Sequence, residues 1–256
     1  MTTKPSVLPL LLAVTAAQRP EIFHSLQGEG PHLGRPSVFV RFSECNLTCH
    51  WCDTPYTWNW QERGHEHENH KRYDKALEQV TLDVAQLAAE IRSFPCQNLV
   101  LTGGEPMLQQ KRIVPVLEQL RGETDAPWYV DLETNGTVLP AASFDRYVSC
   151  YVVSPKLSNA KVDERQRIKA EAMTWFANSP KAFFKFVVGD ESDLVEIKAL
   201  VERFNIQQDK VFLLPKASTL EELEANQAVV ANMSLQAGYR FSDRLHLRLY
   251  GRKRGF

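Results

Sequence analysis

The chain has 256 residues, 43% of them hydrophobic and 24% charged, and its 30 Lys and Arg against 31 Asp and Glu leave a net charge of −1. That composition suits one soluble domain able to bury its own core, and 12 Gly and 14 Pro are too few for a collagen-like or low-complexity chain. The charge balance argues against a protein whose main work is holding nucleic acid, since that affinity rests on clustered Lys and Arg displacing counterions from phosphate, so a small substrate is expected.

No apolar run reaches the roughly 18 residues of a membrane span, and no membrane association is expected. The nearest run covers residues 7–17, is broken by Pro9 and follows a lone Lys4. A weak signal peptide would look similar, but residues 1–20 are read as an N-terminal extension, disordered or packed at an edge. From Ser37 onward, β-branched and aromatic runs alternate with amphipathic segments. Strands are expected at Ser37–Phe42, Asn98–Thr102, Trp128–Leu132, Tyr147–Val153, Ala182–Val188 and Lys210–Leu214. Thr81 can cap a helix through Val84, Leu87, Ala88 and Ile91, and further helices are expected at Lys111–Arg121, Glu164–Ala177, Asp193–Phe204 and Thr219–Met233. The segment from Trp58 to Lys75, with His65, His67 and His70, reads as a polar inserted loop. Six strand–helix repeats in series imply a parallel sheet covered by helices, wound into a partial, open (β/α)6 barrel, with a doubly wound sheet as the alternative.

Polar clusters fall immediately after the strands. Residues 44–54 follow the first, Gly103-Gly104-Glu105-Pro106 the second, Glu133-Thr134-Asn135-Gly136 the third and Ser154-Pro155-Lys156 the fourth, so they converge on one rim. Cys45, Cys49 and Cys52 are spaced C-x3-C-x2-C on one loop. Three thiolates on a short loop can hold three irons of a cubane [4Fe–4S] cluster and leave the fourth iron open for a chelating small molecule. The amino and carboxylate groups of S-adenosylmethionine (SAM) suit that iron, and an electron from the cluster can break the sulfonium C–S bond. Zinc is the alternative, as a Cys3His site completed by His50, His65 or His67. Cys96 and Cys150 are read as buried core residues.

The cysteine loop followed by Gly103-Gly104-Glu105-Pro106 after the next strand resembles the radical SAM superfamily, and the fold that this implies is the partial barrel of the radical SAM type. Glycines there let backbone carbonyls approach the SAM ammonium group, and Glu105 can accept from it. The wider set, residues 21–30, 39–42, Cys52-Asp53-Thr54, Thr102-Gly103-Gly104-Glu105-Pro106, Glu133-Thr134-Asn135-Gly136 and Ser154-Pro155-Lys156, is similar to the 7-carboxy-7-deazaguanine synthase family. The likeness covers nearly everything from Glu21 onward, as a single catalytic domain over 21–256. It implies a carbon–nitrogen lyase that contracts 6-carboxy-5,6,7,8-tetrahydropterin to 7-carboxy-7-deazaguanine with loss of ammonia, on the route to queuosine.

Carried over residue by residue, the resemblance makes Cys45, Cys49 and Cys52 the cluster ligands and Thr54 a Mg2+ ligand through its hydroxyl. Leu26, Gln27 and Gly28 would contact the pterin, with the Gln27 amide on its amide edge. Arg41 would grip the substrate carboxylate, unless it only pairs with Glu44, and Thr102 and His246 would also face substrate. Gly104, Glu105, Glu133, Ser154, Pro155 and Lys156 would line the SAM site. A homodimer in the reducing cytoplasm is implied, with an electron donor such as flavodoxin. Arg240, Arg244, Arg248 and Arg252, recurring every four residues, read as a basic helical face that either meets such an acidic reductant or binds nothing, the second being favoured. Two rivals are a radical enzyme acting on a partner polypeptide, which needs an open surface groove, and a zinc-pinned interaction module.

Overall fold

The computed structural model describes residues 8–62, 65–122 and 127–256. Lys4 and the rest of residues 1–7, with which the expected extension begins, lie outside the described residues, as do two residues of the segment 58–75. One sheet holds β1 (Leu10–Ala13), β2 (Ile22–Leu26), β3 (Pro36–Phe42), β4 (Gln79–Leu82), β5 (Asn98–Gly103), β6 (Tyr129–Thr134), β7 (Cys150–Val153), β8 (Ala182–Val188), β9 (Val211–Pro215) and β10 (Arg240–Phe241). The helices are α1 (Lys75–Glu78), α2 (Val84–Arg92), α3 (Gln110–Gly122), α4 (Ala142–Asp145), α5 (Glu164–Arg167), α6 (Ala170–Asn178), α7 (Ser192–Phe204), α8 (Leu220–Ala237) and α9 (Leu245–Tyr250).

The six expected strands, now β3, β5, β6, β7, β8 and β9, run parallel and lie side by side in chain order. A doubly wound sheet would reverse its strand order once, and this one does not. Its two ends do not pair, so the chain forms the open (β/α)6 barrel. Alternation then sorts each strand. Val38, Val40 and Phe42 of β3, Leu99 and Leu101 of β5, Val130 and Leu132 of β6, and Phe184 and Phe186 of β8 face the helices, where they meet Ile91 of α2, Leu120 of α3, Phe176 of α6 and Ile197 of α7 in one core. The residues between them face the barrel interior. Phe39 and Val100 pack there with Phe23, and Arg41, Thr102 and Glu133 near the strand ends and Lys185 in the middle of β8 line a cavity.

Several local expectations change. Of the two readings of the N-terminal extension, residues 10–13 follow the packed one: β1 pairs with β3 and β4 near the sheet edge, and Leu10, Leu12 and Ala13 are fully buried. Thr81 lies in β4, and the helix cap is Asp83, whose carboxylate accepts from Gln86 N–H while the Gln86 side chain reaches back to the Asp83 N–H. The helix expected over 164–177 breaks into α5 and α6, because Ile168 turns extended and buries while Arg167 folds inward onto the carbonyls of Val162 and Lys156. The segment 58–75 is not simply solvated, since Trp58, Asn59, Trp60 and His67 are buried beneath the cysteine loop. The arginine ladder forms no common face. Arg240 is in β10, Arg244 is buried ahead of α9, and Arg248 bonds to Asp243 and Gln227.

Candidate active site

The cysteine loop leaves the end of β3 and is tied to the end of β5 by main chain. Gly104 N–H donates to the Phe42 carbonyl at 3.0 Å and Glu105 N–H to the Glu44 carbonyl at 2.8 Å. A side chain on Gly104 would run into that Glu44 carbonyl, and Gly103 sits at φ +133, which L side chains rarely adopt. The glycine pair thus lets β5 press against the root of the loop. Glu105 does not open into the cavity. It is fully buried, accepting from Met107 N–H, Asn135 N–H and the Thr134 hydroxyl, so it locks the end of β5 to β6. Burial pushes its carboxyl up to about 7 against the pull of those donors. Pro155 likewise is buried, and neither it nor Glu105 lines the cavity, so a contact of either with SAM would be made by main chain and not by the Glu105 carboxylate.

All three thiols sit in largely buried surroundings that raise their pKa, Cys49 to about 12, so ligation by a metal would have to displace protons. Leu47 N–H points at Cys45 Sγ from 3.4 Å and Trp58 Nε1–H at Cys52 Sγ from 3.3 Å, as donors to electron-rich sulfur. The three sulfurs do not all lie within 4.8 Å of one another, and no His joins them in such a set. One zinc ion with bonds of about 2.3 Å would hold its thiolates roughly 4 Å apart, whereas the corners of a cubane are wider. Two of the three candidate fourth zinc ligands are engaged elsewhere. His67 Nε2 lies 2.8 Å from the Cys52 carbonyl, its Nδ1 accepting from Asn69 N–H, and His50 Nε2 is 3.2 Å from Lys161 Nζ. The donor set fits an open cluster better than a single ion.

The loop and the strand ends enclose a cavity of about 890 Å3. Cys45, Cys49, Cys52, Thr54, Leu26, Gln27, Gly28, Arg41, Thr102, Gly104, Glu133, Ser154, Lys156 and His246 all line it. Arg41 does not pair with Glu44, which binds Lys75 instead. Its Nε donates to Glu21 at 2.8 Å, and the same carboxylate accepts from the Tyr56 hydroxyl at 3.0 Å. Thr54 precedes the turn at Pro55–Thr57, yet its hydroxyl makes no capping bond, and its neighbour is Cys52 Sγ at 3.7 Å. The Gln27 amide is partly spent inside the protein, donating to Glu133 at 3.3 Å and accepting from Glu29 N–H at 3.2 Å. Glu133 also accepts from the Thr102 hydroxyl at 2.8 Å, which groups it with Gln27 and Thr102 and away from Ser154 and Lys156. Lys156 donates to the Ser154 hydroxyl at 2.8 Å and stands over the Trp51 ring.

Sequence reasoning missed the opposite wall. Glu29 is held by Lys185 Nζ at 2.5 Å and Arg244 Nε at 2.9 Å, and Arg244 also reaches Asp53 at 2.6 Å. Burial alone would raise the Glu29 carboxyl, but the Lys185 and Arg244 cations hold it well below the usual range. Leu245 N–H donates to the Gly28 carbonyl, and a methyl group on Gly28 would lie 2.6 Å from His246 Nδ1, so His246 enters over that glycine. Burial lowers the His246 pKa, favouring the neutral ring. The only sequence signal for Lys185 is a cation inside the apolar run Ala182–Val188; Arg244 lay hidden in the apparent ladder.

The chain matches the family described as a 4Fe-4S single cluster domain over residues 26–172. It is 37% identical to the 7-carboxy-7-deazaguanine synthase of Pyrobaculum aerophilum over 92% of this chain and 95% of that one. It is 35% identical to the enzyme of the same name from Rhodopirellula baltica, over 92% and 87%, and 33% identical to that from Halobacterium salinarum, over 90% and 89%. The crystal structure of QueE from Escherichia coli shares the fold, with a TM-score of 0.63 at 22% identity over 92% of this chain and 95% of that one.

Proposed function

Since the chain belongs to the 7-carboxy-7-deazaguanine synthases, we propose that the residues of this cavity carry the family's reaction, the radical SAM conversion of 6-carboxy-5,6,7,8-tetrahydropterin to 7-carboxy-7-deazaguanine with loss of ammonia. The supporting observation is that the three cysteines, Arg41 and the Thr54 hydroxyl, whose one recorded protein partner is the Cys52 sulfur, line one cavity. When bound, the [4Fe–4S] cluster and SAM supply the electron transfer and the radical that start the rearrangement. Cys45, Cys49 and Cys52 would hold the cluster, and Gly104, Ser154 and Lys156 would line the SAM side.

On the substrate side, Glu21 fixes Arg41 through Nε, so the terminal guanidinium nitrogens can meet a carboxylate as a two-pronged donor. Thr54 would hold Mg2+, which adds positive charge at that same carboxylate. Leu26, Gln27, Gly28, Thr102 and Glu133 form the face for the pterin ring, with His246 above Gly28. These residues bind and orient: they would clamp the substrate so that its reacting carbon is held against the SAM side of the cavity. Homodimeric assembly, a carrier such as flavodoxin as reductant and a cytoplasmic setting complete the reading, the last because an open iron needs reducing surroundings.

The test is anaerobic. The protein is reconstituted with iron and sulfide, reduced, and given SAM with 6-carboxytetrahydropterin; mass spectrometry should find a 7-deazapurine carboxylate. SAM cleavage without that product would refute the substrate, and zinc uptake without iron–sulfur absorption would refute the cluster.

A further inference from the structure

We infer that His32, Asp131 and Cys150 form a zinc site on the floor of the barrel, distinct from the cluster and from the substrate cavity. Asp131 lies on β6 two residues before Glu133, on the same interior face and so about 7 Å deeper in the barrel. Cys150 opens β7 and is the register partner of Asp131 on the neighbouring strand. His32 ends the short turn Gly30–His32, which Gly30 enters at φ +75 with its N–H donating to the Ser242 hydroxyl at 2.8 Å. One potential ligand atom from each of the three side chains lies within 4.8 Å of the others, close enough for one ion to draw all three in by small side-chain shifts, and among the described residues no other trio of His, Cys, Asp or Glu is so grouped. None of the three lines the cavity above.

The donor chemistry selects the metal. One thiolate, one imidazole and one carboxylate make a mixed sulfur, nitrogen and oxygen set of borderline softness, which suits Zn2+ and not the all-oxygen preference of Mg2+ or Ca2+. A second observation also points to a ligand. Asp131 and Cys150 are each 2% exposed, and Asp131 Oδ1 has no hydrogen-bond partner among the described residues, while Oδ2 lies 2.9 Å from His32 Nδ1. A buried carboxylate oxygen without a donor is costly, and a cation answers it. The outer ring nitrogen of His32 is 3.4 Å from the Tyr129 hydroxyl, the kind of partner that orients a metal-bound imidazole. Arg35 lies over the Tyr129 ring at 4.0 Å and supplies one positive charge nearby, against the two negative charges that Asp131 and an ionised Cys150 would bring. The thiol is protonated in its present surroundings, which raise its pKa, so zinc would release one proton on binding. His32 keeps its side chain 23% exposed, which gives the ion a way in.

The experiment uses the full-length, cluster-loaded enzyme, incubated anaerobically with zinc chloride and desalted, and reads X-ray absorption at the zinc edge, which iron does not mask. The expected result is one bound zinc with a single sulfur neighbour at about 2.3 Å and nitrogen or oxygen for the rest. Three sulfurs would mean that zinc has displaced the cluster, and no sulfur would mean that it sits on the histidine-rich segment 65–70; either overturns the site, as does a failure to retain zinc. His32→Asn changes a partly exposed turn residue and should fold. It should lower zinc affinity more than about 100-fold, beyond the effect of losing an outer-shell partner, and leave iron content unchanged. Unaltered zinc affinity in that variant overturns the proposal.

Discussion

The cavity wall built from β3, β5 and the cysteine loop is tied by main chain, and β8 opposite it is likewise paired to β7 and β9, whereas the C-terminal segment at α9 is held against that side by the Arg244 ion pairs and one backbone bond. On the first, Gly104 and Glu105 donate backbone N–H groups to Phe42 and Glu44, and the functional residues arrive as contiguous words. On the second, Lys185 and Arg244 are single residues that reach Glu29 across 156 and 215 positions of sequence. A wall held by many backbone bonds keeps its shape when one side chain changes. A wall held by a few buried ion pairs does not, because removing one partner strands the other charge in low dielectric.

The comparison is broken most severely by Cys49→Ala. The loop backbone should persist, with the circular dichroism spectrum and folding of the wild type, yet reconstituted iron should fall to a small fraction and turnover should vanish. Arg244→Met attacks the other wall. It leaves the half-exposed Asp53 without its arginine partner and Glu29 with Lys185 and the neutral His246, at a cost of about 2 kcal/mol. The substrate KM should rise at least tenfold and residues 245–256 should become sensitive to protease, while iron content stays at the wild-type level. Loss of iron in that variant would show that the two walls are one cooperative unit. Thr54→Ala is milder and sharpens the assignment within the first wall: cluster and SAM binding should be retained, with turnover reduced about tenfold and its response to added Mg2+ flattened. Unchanged magnesium dependence would remove Thr54 from the metal site.

The same division explains what was legible in the sequence. The six parallel strands could be read because alternation and apolar runs are local, and Ala182–Val188 was found to the residue. β1 was missed because a four-residue strand paired antiparallel at the sheet margin has no pattern of its own, and its apolar run looked like a leader. Cys45, Cys49, Cys52, Thr54 and Lys156 could be read from words adjacent to strand ends. Glu105 belonged to such a word but turned out to be a brace, since a tetrad on a rim says nothing about which way its second half points. Arg244 could not be read at all. Its spacing with Arg240, Arg248 and Arg252 mimicked a helix face, and only the folded chain puts it against Glu29 and Asp53.

The smallest effect, and the most discriminating, is a pH dependence. Lys185 and Arg244 hold the folded Glu29 carboxyl below its unfolded value of about 4.3. A depressed folded pKa means that the ion pairs contribute their full stability above that unfolded value and lose it as pH falls toward the folded one. From pH 8 to about pH 5 the Glu29 contribution should therefore be constant, and below about pH 4 it should decline with the slope of one proton, about 1.4 kcal/mol per pH unit. Other carboxylates titrate in the same window, so the measurement is a difference. Urea unfolding of wild type and Glu29→Gln, followed from pH 7 to pH 3, should give a stability gap that is wide and flat at neutral pH and narrows below about pH 4, as the unfolded wild type takes up a proton that its folded state and the variant do not. A gap that stays constant to pH 3 would mean that charge at Glu29 does not hold the C-terminal wall, and that its packing against Gly28 does.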